Sequence, residues 1–132
     1  MIEGLGARAH LFVRPTDREQ FITLFRHTLA CNVVERDFGM AHPILVVIFG
    51  DGSRMSVEFT DDAPGQRPGV LDDAHASRGA WLELRTSDVL AVQQKLREAG
   101  VPSFSHPGSA HVYFSVPGGQ VFRVVDLAYQ GP

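Results

Sequence analysis

The chain has 132 residues, 44% of them apolar, with near-zero mean hydropathy and a formal charge of −3, so one ordinary globular domain spanning residues 1–132 is expected. No clustered basic excess points to nucleic acid or an anionic membrane, the longest apolar run (Ile44 to Phe49) is far too short to span a bilayer, and no secretion signal opens the chain. Cys31 is the only cysteine, which excludes an internal disulfide and a cysteine-cluster zinc site, and a cytoplasmic protein is the plain expectation.

In chain order, His10 to Asp17 begins with the alternation of a half-buried strand, Leu11 and Val13 sharing one face. A helix follows, with Thr16 as its expected N-cap and Thr16 with Glu19 as a capping box. Its apolar stripe is Phe21, Leu24, Phe25 and Leu29. Three strands are predicted next, at Asn32–Arg36, Ile44–Phe49 and Arg54–Phe59, the last two joined by the turn signal Asp51-Gly52. Residues 61–79, rich in Pro, Gly, Asp and Ala, read as a linker.

The pattern then recurs. Trp81 to Asp88 repeats the first strand, with Leu82 and Leu84 on one face and Ser87 as the expected cap. Val89, Val92, Leu96 and Ala99 form the stripe of a second helix, which Gly100 stops. Three strands are again predicted: a short one near Ser103–Ser105, then His111–Val116 and Gln120–Leu127, with Gly118-Gly119 at the hairpin. An offset of 71 residues carries His10 onto Trp81, Phe21 onto Val92 and Phe25 onto Leu96. The chain is therefore a duplication, with one βαβββ module over about 7–60 and another over about 80–128.

Alternation also sorts the strand residues into faces. Leu11, Val13, Met55, Val57, Leu82, Leu84, Val112, Phe114, Phe122 and Val124 should meet the helices. The other face carries His10, Phe12 and Arg14; Ser56 and Glu58; Trp81, Glu83 and Arg85; His111, Tyr113 and Ser115; and Val121, Arg123 and Val125. Aromatics mixed with a few convergent polar groups are what a small-molecule pocket displays. Each residue also has a structural reading. His10 can be an interior hydrogen-bonded histidine, His111 a polar wall and Trp81 core filling. Arg123 can be the ion-pair partner of Glu58 or Glu83 instead of an anchor for a carboxylate or phosphate. His27, His42, His75 and His106 fall on a helix or in loops and read as solvated, and Cys31 reads as a packed thiol.

Strand, helix and three strands, repeated once, resembles the glyoxalase / bleomycin-resistance / dioxygenase group, the vicinal oxygen chelate superfamily. The resemblance spans roughly Arg8 to Leu127. Its carriers are His10 to Asp17 leading into Phe25 and Leu29, Trp81 to Asp88 leading into Leu96 and Gly100, and the closing hairpin from Val116-Pro117-Gly118-Gly119-Gln120 to Val124. The resemblance implies an α+β fold in which two tandem βαβββ modules form a curved mixed sheet around a cup, and a homodimer. Metal-dependent members take ligands from the first and last strands of each module. Of the matching positions here, His10 is kept, but the second module has Trp81 where the family often has His and Arg123 where it has Glu. The remaining position falls near Ser56 or Glu58. A guanidinium repels a cation, so the resemblance leaves at most His10 and Glu58 as ligands, where a catalytic ion usually needs three.

The expectation is a metal-independent protein that binds a small organic molecule, a drug or metabolite, in an aromatic cup without a cofactor. Trp81, Phe12 and Tyr113 would stack on the ligand, and Arg123, Arg14 or Arg85 would meet an anionic group. The rival is a lyase, isomerase or dioxygenase using Zn, Ni, Mn or Fe held by His10, Glu58 and a further residue such as Glu83 or His111. A metal-free enzyme with His111 or Glu83 as its acid–base group, or an interaction module, are the remaining classes.

Overall fold

In a computed structural model that describes residues 1–63, 80–105 and 110–131, the chain divides into two compact units, Met1–Pro64 and Gly65–Pro132. Each unit carries one four-stranded mixed sheet. In the first, β1 (Arg8–Val13), β2 (Asn32–Arg36), β3 (Ile44–Ile48) and β4 (Arg54–Phe59) lie in the order β1-β4-β3-β2. In the second, β5 (Trp81–Thr86), β6 (Ser103–Phe104), β7 (Val112–Ser115) and β8 (Val121–Asp126) repeat that order as β5-β8-β7-β6. First and last strands pair parallel and the rest antiparallel, so the fold is α+β with two βαβββ modules, as the repeat implied. The strands of the second unit are shorter than expected at β6 and β7, and His111 falls just before β7. His75 and His106 and most of the 61–79 linker lie outside the described residues.

In the first unit, one sheet face and the helix make the core. Leu11, Val13, Leu45, Val47, Met55 and Val57 are buried on the strands, and Phe21, Ile22, Leu24 and Phe25 on the helical segment. Phe21 and Phe25 stack with ring centroids 4.7 Å apart. The alternation fails nowhere along β4, where buried residues at Met55, Val57 and Phe59 interleave with half-buried Ser56 and Glu58. Removing this much apolar side-chain surface from water, at roughly 1.5–3 kcal/mol for each large residue, is what fixes the strand register.

The helix caps differ from the sequence expectation. The first helical segment opens with a tight turn over Pro15–Asp17, continues as α1 (Arg18–Ile22) and widens to π-type hydrogen bonding over Thr23–Thr28. Thr16 therefore falls inside the opening turn and makes no cap bond, and the Thr16–Glu19 capping box does not form. A proline at the first position presets the backbone instead. In α2 (Val89–Glu98) the cap is Asp88, not Ser87: Asp88 Oδ1 accepts from Ala91 N at 2.9 Å. The carboxylate at that end also complements the positive pole of the helix.

The π-type stretch inserts one residue relative to α2. Cys31 N donates to Phe25 O, six residues back, where Val101 N donates to Leu96 O, five back, although Phe25 and Leu96 are matched positions. The helix then closes through a left-handed residue, Gly100 at φ 73° in the second copy but Ala30 at φ 54° in the first. The expected hairpins form at Gly52 (φ 85°) and at Gly118-Gly119 (φ 98° and 94°), with Gly52 N bonded to Phe49 O and Gly119 N to Val116 O.

Candidate functional site

The face of the first sheet turned away from its helix is open. His10 pairs across with Ser56, and Phe12 with Glu58, so all four share that face. His10 and Phe12 are exposed, Phe12 to 53%, and Ser56 and Glu58 are half-buried. His10 Nδ1 lies 2.6 Å from Ser56 Oγ, and that hydroxyl reaches the Ala9 carbonyl at 3.5 Å. The rings of His10 and Phe12 meet edge to face at 4.9 Å. Arg14, expected to meet an anionic group, donates its Nε to the Ala63 carbonyl at 2.9 Å.

The corresponding face of the second sheet is built differently. Arg123 pairs across with Glu83 on one side and Tyr113 on the other, and Trp81 pairs with Val121. Tyr113, Val121, Arg123 and Val125 are buried, whereas Trp81 is 44% exposed. Arg123 bonds Glu83 Oε2 through Nε at 2.8 Å and Nη2 at 2.7 Å. Its guanidinium lies over the Trp81 ring, 4.0 Å from the centroid, and 5.5 Å from that of Tyr129. Burial pulls the Arg123 pKa down, but hydrogen bonds to Tyr113 and Glu83 and the charge of Glu83 outweigh it, so the group is held above its ordinary value. Of the two ion-pair partners open to it from the sequence, Glu83 is the one it takes. Arg85 is exposed on the same strand, opposite Val125.

Aromatic rings extend this cluster. Tyr113 meets Trp81 edge to face at 6.4 Å and lies near parallel to Phe104 at 6.0 Å, while His111 meets Tyr129 at 4.6 Å. Phe104 and Tyr129 were not among the residues the sequence singled out. Phe104 belongs to a strand of only two residues, too short for alternation to show. Tyr129 follows the last strand through a turn in which Asp126 Oδ1 accepts from Ala128 N, and only that Asp signalled a return of the chain.

The first-module position that matches Arg123 depends on the count. From the hairpin glycines Gly52 and Gly119 it is Ser56; from the first-strand partners Phe12 and Glu83 it is Glu58. The two counts differ by two residues, which keeps the side chain on the same face. Among the described residues no three His, Cys, Asp or Glu side chains converge as a divalent ion needs, and the Arg123 guanidinium occupies one of the family positions.

No family model matches the chain, and no curated protein matches it. Solved structures do. An antibiotic-binding protein of Streptomyces sp. CB03234, TnmS3, is 23% identical, covering 95% of this chain and 98% of its own, at a TM-score of 0.61. A glyoxalase/bleomycin resistance protein of the same organism is 26% identical over 89% and 97%, with a TM-score of 0.57. The fosfomycin resistance protein FosX of Mesorhizobium loti is 15% identical over 94% and 91%, with a TM-score of 0.63.

Proposed function

We propose that this chain, whose fold is that of the glyoxalase / bleomycin-resistance / dioxygenase (vicinal oxygen chelate) superfamily, binds a small aromatic molecule without a metal, Trp81 being the stacking platform. The observation that carries this reading is the packing of Arg123 against Trp81 at positions where a metal-dependent relative would place ligands. A half-exposed indole with a fixed cation beneath it is an apolar, flat surface, suited to a planar ring system and hostile to a metal ion. Phe12 offers a second exposed ring on the first module. Two of the similar structures are named for antibiotic binding or bleomycin resistance, which makes an aromatic drug or metabolite the ligand class to try first.

Trp81 is the sole tryptophan, so its emission reads binding directly. Titration with planar aromatic antibiotics should quench it saturably, and equally well after treatment with a chelator. Tight one-to-one uptake of Zn²⁺, Ni²⁺, Mn²⁺ or Fe²⁺ that disappears in His10→Ala would overturn the metal-free reading. One observation favours that second reading, a metal-dependent lyase, isomerase or dioxygenase: the Ser56 bond to Nδ1 orients His10, as outer partners of ligating histidines do.

A further inference from the structure

We infer that Arg123 is a positioning residue that fixes the plane of Trp81, with Glu83 as its brace, and that it does not anchor an acidic group of the ligand. The inference rests on the metal-free binding reading and narrows the chemistry of that same surface.

Arg123 is the buried charged side chain among the described residues, 7% exposed. Its Nε and Nη2 both end on one Glu83 oxygen, at 2.8 Å and 2.7 Å, and its flat face lies 4.0 Å from the indole centroid. Two edges of the fork are thus committed to Glu83 and a further hydrogen bond to Tyr113, so an incoming carboxylate or phosphate meets a cation whose charge is already matched by Glu83. Arg123 is buried while Glu83 reaches solvent, so the matching carboxylate stands on the side from which a ligand's anion would approach and repels it. The planar fork is what lets one side chain bond Glu83 in its plane and lie flat against Trp81 with its face; an ammonium has no plane to stack, so it cannot set the ring's orientation in the same way. The cross-strand register puts Glu83 beside Arg123 and Val121 beside Trp81, so Arg123 reaches the indole along the diagonal of one sheet face. The ring is held from below by Arg123 and edge-on by Tyr113, and 44% of Trp81 remains for a ligand to meet.

The test uses the full chain and two dyes that differ by one sulfonate: N-phenyl-1-naphthylamine, uncharged, and 8-anilinonaphthalene-1-sulfonate. Arg123→Lys, Arg123→Met and Glu83→Gln are compared with the unaltered protein well below their melting temperatures, with circular dichroism confirming the fold. Without any dye, all three variants should show faster local depolarisation of Trp81 and a shifted emission maximum; unchanged anisotropy decay and emission in Arg123→Lys and Glu83→Gln overturn the inference. With dye, quenching of Trp81 in Arg123→Lys and Arg123→Met should show both affinities falling by the same factor, about threefold or more from the lost cation–π support. A loss confined to the sulfonate dye would make Arg123 an anion anchor and sink the proposal. If the unaltered protein binds neither dye, the binding reading fails by itself, and the ligand-free anisotropy still decides whether Arg123 positions Trp81. Should Arg123→Met not fold, Arg123→Gln carries the same comparison with the charge removed and a polar side chain kept.

Discussion

Single side chains in this protein are set by what lies directly across the strand or turn from them. Cys31 shows the effect on reactivity: its thiol points at the Leu29 carbonyl, 3.7 Å away, and burial pushes its pKa up. The neutral thiol is thus favoured by folding. The stability this supplies is present below the ordinary thiol range and is lost as pH rises through it, because the unfolded chain ionises first. Iodoacetamide at mildly alkaline pH should alkylate native Cys31 more slowly than the urea-unfolded chain, and equal rates would contradict the burial. On the open face of the first sheet, Ser56→Ala removes the partner of His10 Nδ1. The expected cost is small, under about 1.5 kcal/mol by denaturant unfolding, since both groups keep access to water. The larger consequence is for orientation, and the His10 ring resonances should show it as exchange between tautomers.

At the scale of the element, the two helices are a controlled comparison, similar in sequence but terminated differently. Asp88 caps α2 through Ala91 N, while Ser87 and Thr16 cap nothing. Asp88→Ala should cost about 1 kcal/mol in chemical denaturation, and Ser87→Ala or Thr16→Ala no more than about 0.5 kcal/mol. The ends behave in the opposite sense. Gly100 adopts φ 73° without a steric cost, but Ala30 is held at φ 54°, where its Cβ crowds the following carbonyl. Ala30→Gly should therefore stabilise the protein by up to about 1 kcal/mol, visible as a raised melting temperature; a lowered one would show that Ala30's methyl contributes packing that outweighs the strain.

For the whole molecule, the informative contrast is between the last strands of the two modules. In β4 burial alternates, leaving Ser56 and Glu58 half-open, whereas in β8 the five residues from Val121 to Val125 are all buried. The strand β8 is covered on both faces, and the reason is visible in composition: Val121 and Val125 are apolar on the face where β4 has Ser56 and Glu58. Val121→Ala should cost about 2 kcal/mol, more than Ser56→Ala does. In each sheet two strands are edges, β1 and β2 in the first and β5 and β6 in the second. Unpaired backbone groups along an edge invite pairing with another chain. We propose a homodimer on that ground, with light scattering expected to give twice the 14.5 kDa of the chain.

The sequence by itself determined the duplication, the order of strands and helices, both hairpin turns and the face on which each strand residue lies, because these follow from local periodicity and from glycines at left-handed turn positions. Only the tertiary structure decided which neighbour each face residue meets. Asp88 and not Ser87 became the cap because one residue of phase at the strand end is invisible to pattern. Phe104 and Tyr129 joined the aromatic cluster from segments with no period to read. Arg123 had Glu58 and Glu83 open to it, and the choice turned on the register of the parallel β5–β8 pair, which no short turn specifies and which burial of the opposite face sets. Of the ion-pair partner and the anion anchor that the sequence left open for Arg123, the structure shows the ion pair, with the guanidinium lying over Trp81.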